Sequence, residues 1–305
     1  LGAEGIEVQF MAGTRSSLAM VATGTEAPRI MSADFVLARR DFARVEALMA
    51  AYDYAAARAV ADDLKDRLKR HSAVPSIFRA RVNHACDFLA ILDLWDRFDF
   101  EKAFNRASQA LTLGGPERSA SFQKQLFKPL QRLAEQGKEQ ATWDLCADLW
   151  LNAQRCAARG RHDDAVARLY RLTEAALQAQ LWETYKQPNP VPWDNVPDEI
   201  RKHKPKTEST LNGKKYCGVG LGLEGSIHFL RFLNKEDSLI QNMSEGLGTR
   251  GSPVWIGGRN NSILAHGFQK LDKTDWNRAS NWIIKHLRQA WSDVEPPQLP
   301  YRLHF

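Results

Sequence analysis

Between Asp34 and about Leu181 apolar residues return at helical spacing. Val36 to Met49 and Tyr54 to Leu68 each carry an apolar stripe opposite a charged face, which predicts two amphipathic helices. Three similar corners interrupt the pattern: Tyr52-Asp53-Tyr54, Phe98-Asp99-Phe100 and Gly160-Arg161-His162, each with an alanine (Ala55, Ala103, Ala165) at the start of the next helix. They read as turns in a helical array, and their unequal intervals argue against a fixed tetratricopeptide-like repeat. Ala141 to Ala158 and Asp163 to Leu181 predict two long helices meeting at Gly160 and packing antiparallel. Trp143, Leu145, Leu149 and Trp150 line the first, and Val166, Leu169, Tyr170, Leu172 and Leu177 the second.

The pattern changes in three places. At the N-terminus Gly5 to Met11 alternates like a strand, Gly13-Thr14-Arg15 follows as a turn, and Leu18 to Ala22 forms a short apolar run suited to a helix. Such a strand–turn–helix can hold a phosphate on its backbone N–H groups. Residues 186–215 are rich in proline and lysine and poor in apolar side chains, which predicts a long irregular loop. After it, Leu221 to Leu233 resumes helical spacing. A last helix is expected from an N-cap at Thr274-Asp275, with Trp276, Trp282, Ile283, Leu287 and Trp291 near one side as core or dimer interface. His286 reads as a surface residue of that helix, and His228 as a satisfied core histidine.

Candidate chemistry concentrates at 259–267, Arg-Asn-Asn-Ser-Ile-Leu-Ala-His-Gly. On a continuous helix Arg259 and His266 lie on one face, with Gly257 and Gly258 turning the chain in and Gly267 as a C-cap. A guanidinium is a permanent fork of donors for phosphate oxygens, and an imidazole exchanges protons near neutrality. Together they suit RNA cleavage by the neighbouring 2′-hydroxyl without a metal, with Asn260 adding a neutral hydrogen bond. Arginine and histidine at this spacing is a weak pattern alone. The competing reading makes Ile263, Leu264 and Ala265 a core turn and His266 an ordinary helix-end histidine.

The whole string resembles the Arg-X4–6-His signature of HEPN ribonucleases, in the form found in CARF–HEPN accessory ribonucleases of type III CRISPR systems. The resemblance implies an all-helical HEPN domain that dimerises, so that two motifs build one metal-independent site with Arg259, His266 and Asn260 as its residues. Residues 5–22 are similar to the strand–turn–helix element of CARF domains, which bind cyclic oligoadenylates. Ala12, Arg15 and Ser17 depart from that pattern. On this likeness Gly13, Thr14 and Arg15 are the expected ligand contacts, and cyclic oligoadenylate the expected allosteric activator.

The expected fold is therefore mainly α: a HEPN bundle, a preceding helical region, and a small α/β, CARF-like and Rossmann-type remnant. The expected boundaries are 1–33 for the C-terminal piece of a CARF-like domain, 34–137 for a helical linker domain and 138–305 for the HEPN ribonuclease domain. Leu1 in place of an initiating methionine gives the expectation that the chain starts inside a longer protein.

Composition adds a polyanionic partner. The 305 residues carry a net charge of +6. The densest positive cluster falls in the predicted loop, where Lys202, Lys204, Lys206, Lys214 and Lys215 are candidate RNA contacts, Trp193 and Tyr216 candidate stacking partners, and His203 a bystander. Arg161, Arg168 and Arg171 read as a solvated helix face. Cys86, Cys146, Cys156 and Cys217 form no CxxC and read as small buried residues of a reducing, cytoplasmic protein without metal or cofactor. The alternatives to the activated ribonuclease are a non-catalytic HEPN module that binds RNA or a partner, and a toxin-like HEPN ribonuclease without second-messenger control.

Overall fold

The computed structural model describes residues 7–12, 27–70, 74–113, 126–136, 140–202, 204–248 and 253–294. The chain is mainly helical, as the apolar spacing predicts. Its described residues fall into two compact units, one within residues 7–97 and 106–113, the other within 98–105 and 126–294. Among the described residues no helix is long and apolar enough to cross a membrane.

In the first unit strands β1 (Glu7–Ala12) and β2 (Ala27–Ser32) pair antiparallel. Helices α1 (Ala33–Ala50), α2 (Tyr54–Leu68) and α3 (Ser76–Asp96) follow, with α2 packed against both others. Phe42, Val45, Met49, Leu64, Leu89 and Trp95 fill the space between them. Asp93 is buried in this layer and is bonded by Arg58 at 3.0 Å and Arg97 at 2.8 Å, so its charge is compensated.

Tyr52, Phe98 and Gly160, which open the three sequence corners, all adopt left-handed backbone, with φ of 60°, 64° and 73°. At Tyr52 and Gly160 the chain ends the preceding helix with paired backbone bonds: Asp53 N–H to Leu48 O with Tyr52 N–H to Met49 O, and Arg161 N–H to Cys156 O with Gly160 N–H to Ala157 O. Such paired bonds satisfy the carbonyls that a helix end leaves open. The corner motif is thus a helix stop.

In the second unit α4 (Phe100–Leu113) contributes its first residues, and α5 (Lys128–Gln136) leads to α6 (Trp143–Ala158) and α7 (His162–Tyr185). Thr142 caps α6 by accepting from Leu145 N–H. Helix α7 is the hub, packed against α6, α9 (Leu223–Leu233), α11 (Ile256–Asn260) and α12 (Lys273–His286). Being covered on several sides explains its buried run of Leu169, Leu172, Ala175, Ala176 and Ala179, whose alanines let neighbours approach closely.

The expected irregular loop is instead an ordered insertion. Strands β3 (Val191–Pro192), β4 (Thr207–Leu211) and β5 (Lys214–Val219) form an antiparallel sheet in the order β3-β5-β4, and a short helix α8 (Asp198–Arg201) sits between β3 and β4. Asn212 and Gly213, at φ of 50° and 76°, make the two-residue turn that joins β4 to β5. Asn-Gly is the residue pair that such a hairpin turn favours.

Several residues sit differently from the sequence reading. The N-cap of α12 is Asp272, in a capping box with Asp275, because a carboxylate there satisfies the Thr274 and Asp275 N–H groups. His286 is buried, its Nδ1 2.6 Å from Asn242 O and its ring against Trp282. His228 is exposed, on the solvent face of α9. Trp282 and Trp291 are core residues, while half-buried Trp276 stacks on Trp150. Cys86, Cys146 and Cys156 are buried but Cys217 is exposed on β5. Burial pushes the Cys86 thiol up to about 12.

Candidate active site

The motif is not carried by one helix. Helix α11 stops at Asn260, and residues 261–267 fold back as a tight loop. Gly257 and Gly258 lie inside this short helix rather than at a sharp entry turn. Three backbone bonds close the loop: His266 N–H to Asn260 O at 3.2 Å, Gly267 N–H to Ser262 O at 3.1 Å and Gln269 N–H to Asn261 O at 3.0 Å. A fourth, Ile263 N–H to Gln269 O at 3.1 Å, ties its outgoing arm to its incoming one. The His266 backbone is therefore held against the residue that follows Arg259, without a continuous helix.

Gly267 is required for a reason other than capping. A Cβ there would stand 2.1 Å from the Asn261 carbonyl oxygen, well inside contact distance. The loop doubles back so closely that only a bare backbone fits. Its stems are rooted: Trp255 just before α11 and Ile256 at its start enter the core, and Leu271 after the loop is buried, its N–H donating to Asp163 on α7 at 3.0 Å. The tip is bare. Ile263 and Leu264 are exposed, and Phe268 is 95% exposed, which removes the reading of this stretch as a core turn.

Arg259 is half-buried where α11 meets α7. Its guanidinium lies over the Tyr170 ring, 4.0 Å from the centroid, and Nη1 donates to Asn260 Oδ1 at 3.2 Å. Nε is buried with no partner among the described residues. Burial, and the nearby Glu174 carboxylate that accepts a hydrogen bond from its hydroxyl, push the Tyr170 phenol above its ordinary value. The ring thus remains a neutral platform, and cation–π contact holds the guanidinium flat. Asn260 is occupied with Arg259, and His266 is exposed at the rim. Tyr170 reads from sequence only as a helix-lining aromatic, since nothing local marks it as the bed of an arginine 89 residues away.

The remaining sequence candidates disperse. Lys202, Lys204, Lys206, Lys214 and Lys215 are all exposed. Lys202 and Lys204 border one cleft with Trp193, and Lys206 places its ammonium 4.6 Å from the Trp193 ring centre. Arg201 also lies over that ring, so Trp193 is already covered by cations rather than open to a base. Tyr216 donates its hydroxyl to Pro190 O. Lys214 and Lys215 sit at the hairpin, whose Leu211 and Asn212 share a cleft with Trp182. Trp182 is roughly 18 Å along α7 from Tyr170, so this end of the insertion lies away from Arg259. Arg161, Arg168 and Arg171 are engaged by Asp164, by Asn152 and Asp164, and by Glu174. Gly13, Thr14, Arg15, the Leu18–Ala22 run and His203 lie outside the described residues. Among the described residues no three His, Cys, Asp or Glu side chains gather as metal ligands do.

No curated protein matches the chain. A family model described as the Csm6 HEPN domain matches residues 134–289, a span that starts in α5, ends just past α12 and contains α7, the insertion and the Arg259–His266 loop. That span is just over half of the 305 residues. The chain belongs to the CRISPR-associated Csm6 HEPN family.

Proposed function

We propose that the chain is a metal-independent endoribonuclease of a type III CRISPR antiviral response, acting on single-stranded RNA. The observation that carries this reading is the loop that sets exposed His266 against Asn260 while Tyr170 supports the neighbouring Arg259 from beneath. In the reaction the RNA 2′-oxygen bonds to the adjacent phosphorus and gives up its proton to an imidazole. The P–O5′ bond breaks and the leaving oxygen takes a proton, giving a 2′,3′-cyclic phosphate and a 5′-hydroxyl. Arg259 donates to the phosphorane oxygens with N–H groups that its present partners leave over.

One copy supplies a single imidazole, and proton removal and delivery call for two. A second copy supplies the other. In support, Val254, Ile263, Leu264 and Phe268, within or close to the motif in sequence, are large apolar side chains at 65%, 63%, 50% and 95% exposure. A symmetric dimer buries such side chains against itself and brings the two motifs together. Control by cyclic oligoadenylate rests on the likeness of residues 5–22 to CARF domains.

The test uses purified protein and a fluorescent RNA in EDTA, with and without cyclic tetra- or hexa-adenylate, beside Arg259→Ala and His266→Ala. The expected result is cleavage by the parent, stimulation by one ring size, and loss in both variants. Unchanged cleavage in either variant removes the assignment, and indifference to both rings removes the activator.

A further inference from the structure

A cleft of about 660 Å³ opens between α8 and α9, and the motif does not use it. One wall carries Glu199, Ile200 and Lys204. The other is a stripe of α9 at helical spacing, Glu224, His228, Arg231 and Phe232, with Lys235 lining the cleft just past the helix end. The opposite face of α9, with Ile227, Phe229 and Leu230, is buried in the core, so the stripe is fixed in orientation. Three properties of this cleft point to one ligand.

The cations are unspent. Among the described residues no ion pair or side-chain hydrogen bond engages Lys204, Arg231 or Lys235, although Glu199 and Glu224 line the same cleft. In contrast, Arg201 nearby is tied to Asp198 and to Trp193 O. Next, Phe232 is 62% exposed, and its ring stacks on buried Phe229 at 6.3 Å with 12° between planes. An aromatic backed on one side and bare on the other is a platform for a flat ring. Finally, the stripe starts beside the motif. Helix α9 packs on α7, with Glu224 close enough for its charge to act on Tyr170, the bed of Arg259. Beyond the far end of α9, Asp237 accepts from Gln180 and Tyr185 further along α7, so the two helices run in the same direction. From Glu224 to Phe232 the stripe extends roughly 12 Å away from the motif.

We propose that this cleft binds a flanking nucleotide of single-stranded RNA, roughly 12 Å or more beyond the scissile phosphate, with the base on Phe232 and the phosphate on Arg231, Lys204 and Lys235. Glu224 and Glu199 accept from a base that carries an exocyclic amine, which favours adenine, cytosine or guanine over uracil. The inference rests on the ribonuclease reading and adds a substrate subsite to it.

The test is equilibrium binding of a fluorescent single-stranded RNA to the full chain carrying His266→Ala, where cleavage is blocked. Phe232→Ala in that background is expected to weaken binding roughly ten-fold, and Phe232→Tyr to retain it. Arg231→Ala with Lys235→Ala is expected to reduce the slope of log affinity against log salt by roughly 0.7 per cation removed. Polyuridine is expected to bind more weakly than a mixed sequence. If the His266→Ala parent binds RNA but both the Phe232→Ala affinity and the salt slope are unchanged, the cleft proposal falls and the ribonuclease reading stands. A parent that binds no RNA, or an acidic peptide captured in its place, overturns both. Phe232, Arg231 and Lys235 face solvent or the cleft, and matched thermal melts exclude unfolding as the cause.

Discussion

Gly267→Ala puts the loop geometry to the test without touching Arg259 or His266. The added methyl would meet the Asn261 oxygen, carbon and Cα at 2.1, 2.4 and 2.7 Å, so the two arms must separate by roughly an ångström. Such a shift loosens the three bonds that close the loop, from His266, Gly267 and Gln269 to Asn260, Ser262 and Asn261. At about 1 kcal/mol net for each, the local loss is about 3 kcal/mol. The core is spared, because Trp255, Ile256 and Leu271 anchor the stems while Ile263, Leu264 and Phe268 are outside it. An ångström of misplacement at a reacting group slows chemistry by about a hundred-fold. Single-turnover RNA cleavage should therefore fall about a hundred-fold, while the calorimetric melting temperature falls by at most about 6–12 °C, the shift that a loss of this size gives a unit of this length. The control is Gly257→Ala, whose added methyl meets nothing within 4 Å and which should cleave normally. A Gly267→Ala protein that cleaves RNA at the parent rate would show that closure of this loop does not position His266.

Other consequences separate the supports of the site from the supports of the fold. Tyr170→Leu removes the ring beneath Arg259 and should lower the cleavage rate at saturating RNA about ten-fold, while Tyr170→Phe keeps the ring and most of the activity; equal loss in both would assign the effect to the hydroxyl and its Glu174 contact. Leu169→Ala opens a cavity where α7 is fully buried and should destabilise the second unit by about 2–5 kcal/mol in urea unfolding. Burial opposes charge on Asp41, but its hydrogen bonds from Arg67 and Arg40 prevail and hold its carboxyl below the usual range. A depressed folded value stabilises above the unfolded carboxylate range, and that contribution is lost as pH falls through the window below it. Asp41→Asn should therefore flatten the pH dependence of first-unit stability between about pH 4 and pH 2. An unchanged slope would show that Arg67 does not stabilise the ionised form.

Much of the helical architecture was legible because its signals are local. The stripe from Tyr54 to Leu68 and the apolar run on α7 each need only one helix to be read. The corners at Tyr52, Phe98 and Gly160 were visible as a recurring phrase, though their left-handed backbone was not. The insertion was misread because prolines and lysines outweighed the Asn212-Gly213 turn, and short, largely exposed strands leave a weak apolar alternation. The candidate site can be named from sequence as residues but not as shape. Arg259 and His266 stand at helical spacing, yet Gly267 lets the chain double back after Asn260, a tertiary choice that periodicity does not carry. Tyr170 beneath Arg259 and the α9 stripe beyond it depend on how α7 packs with α11 and α9. His228 and His286 exchanged places for the same reason: neighbouring elements, absent from a local window, decide which face of a helix is covered.

We propose that one chain holds half of a site. The most direct measurement mixes a fixed amount of parent protein with increasing His266→Ala chain under conditions that allow subunit exchange, and follows RNA cleavage in EDTA. A composite site predicts that cleavage falls as parent chains are drawn into mixed dimers with one imidazole. Cleavage that stays constant across the titration, with mixed dimers shown to form, would contradict it.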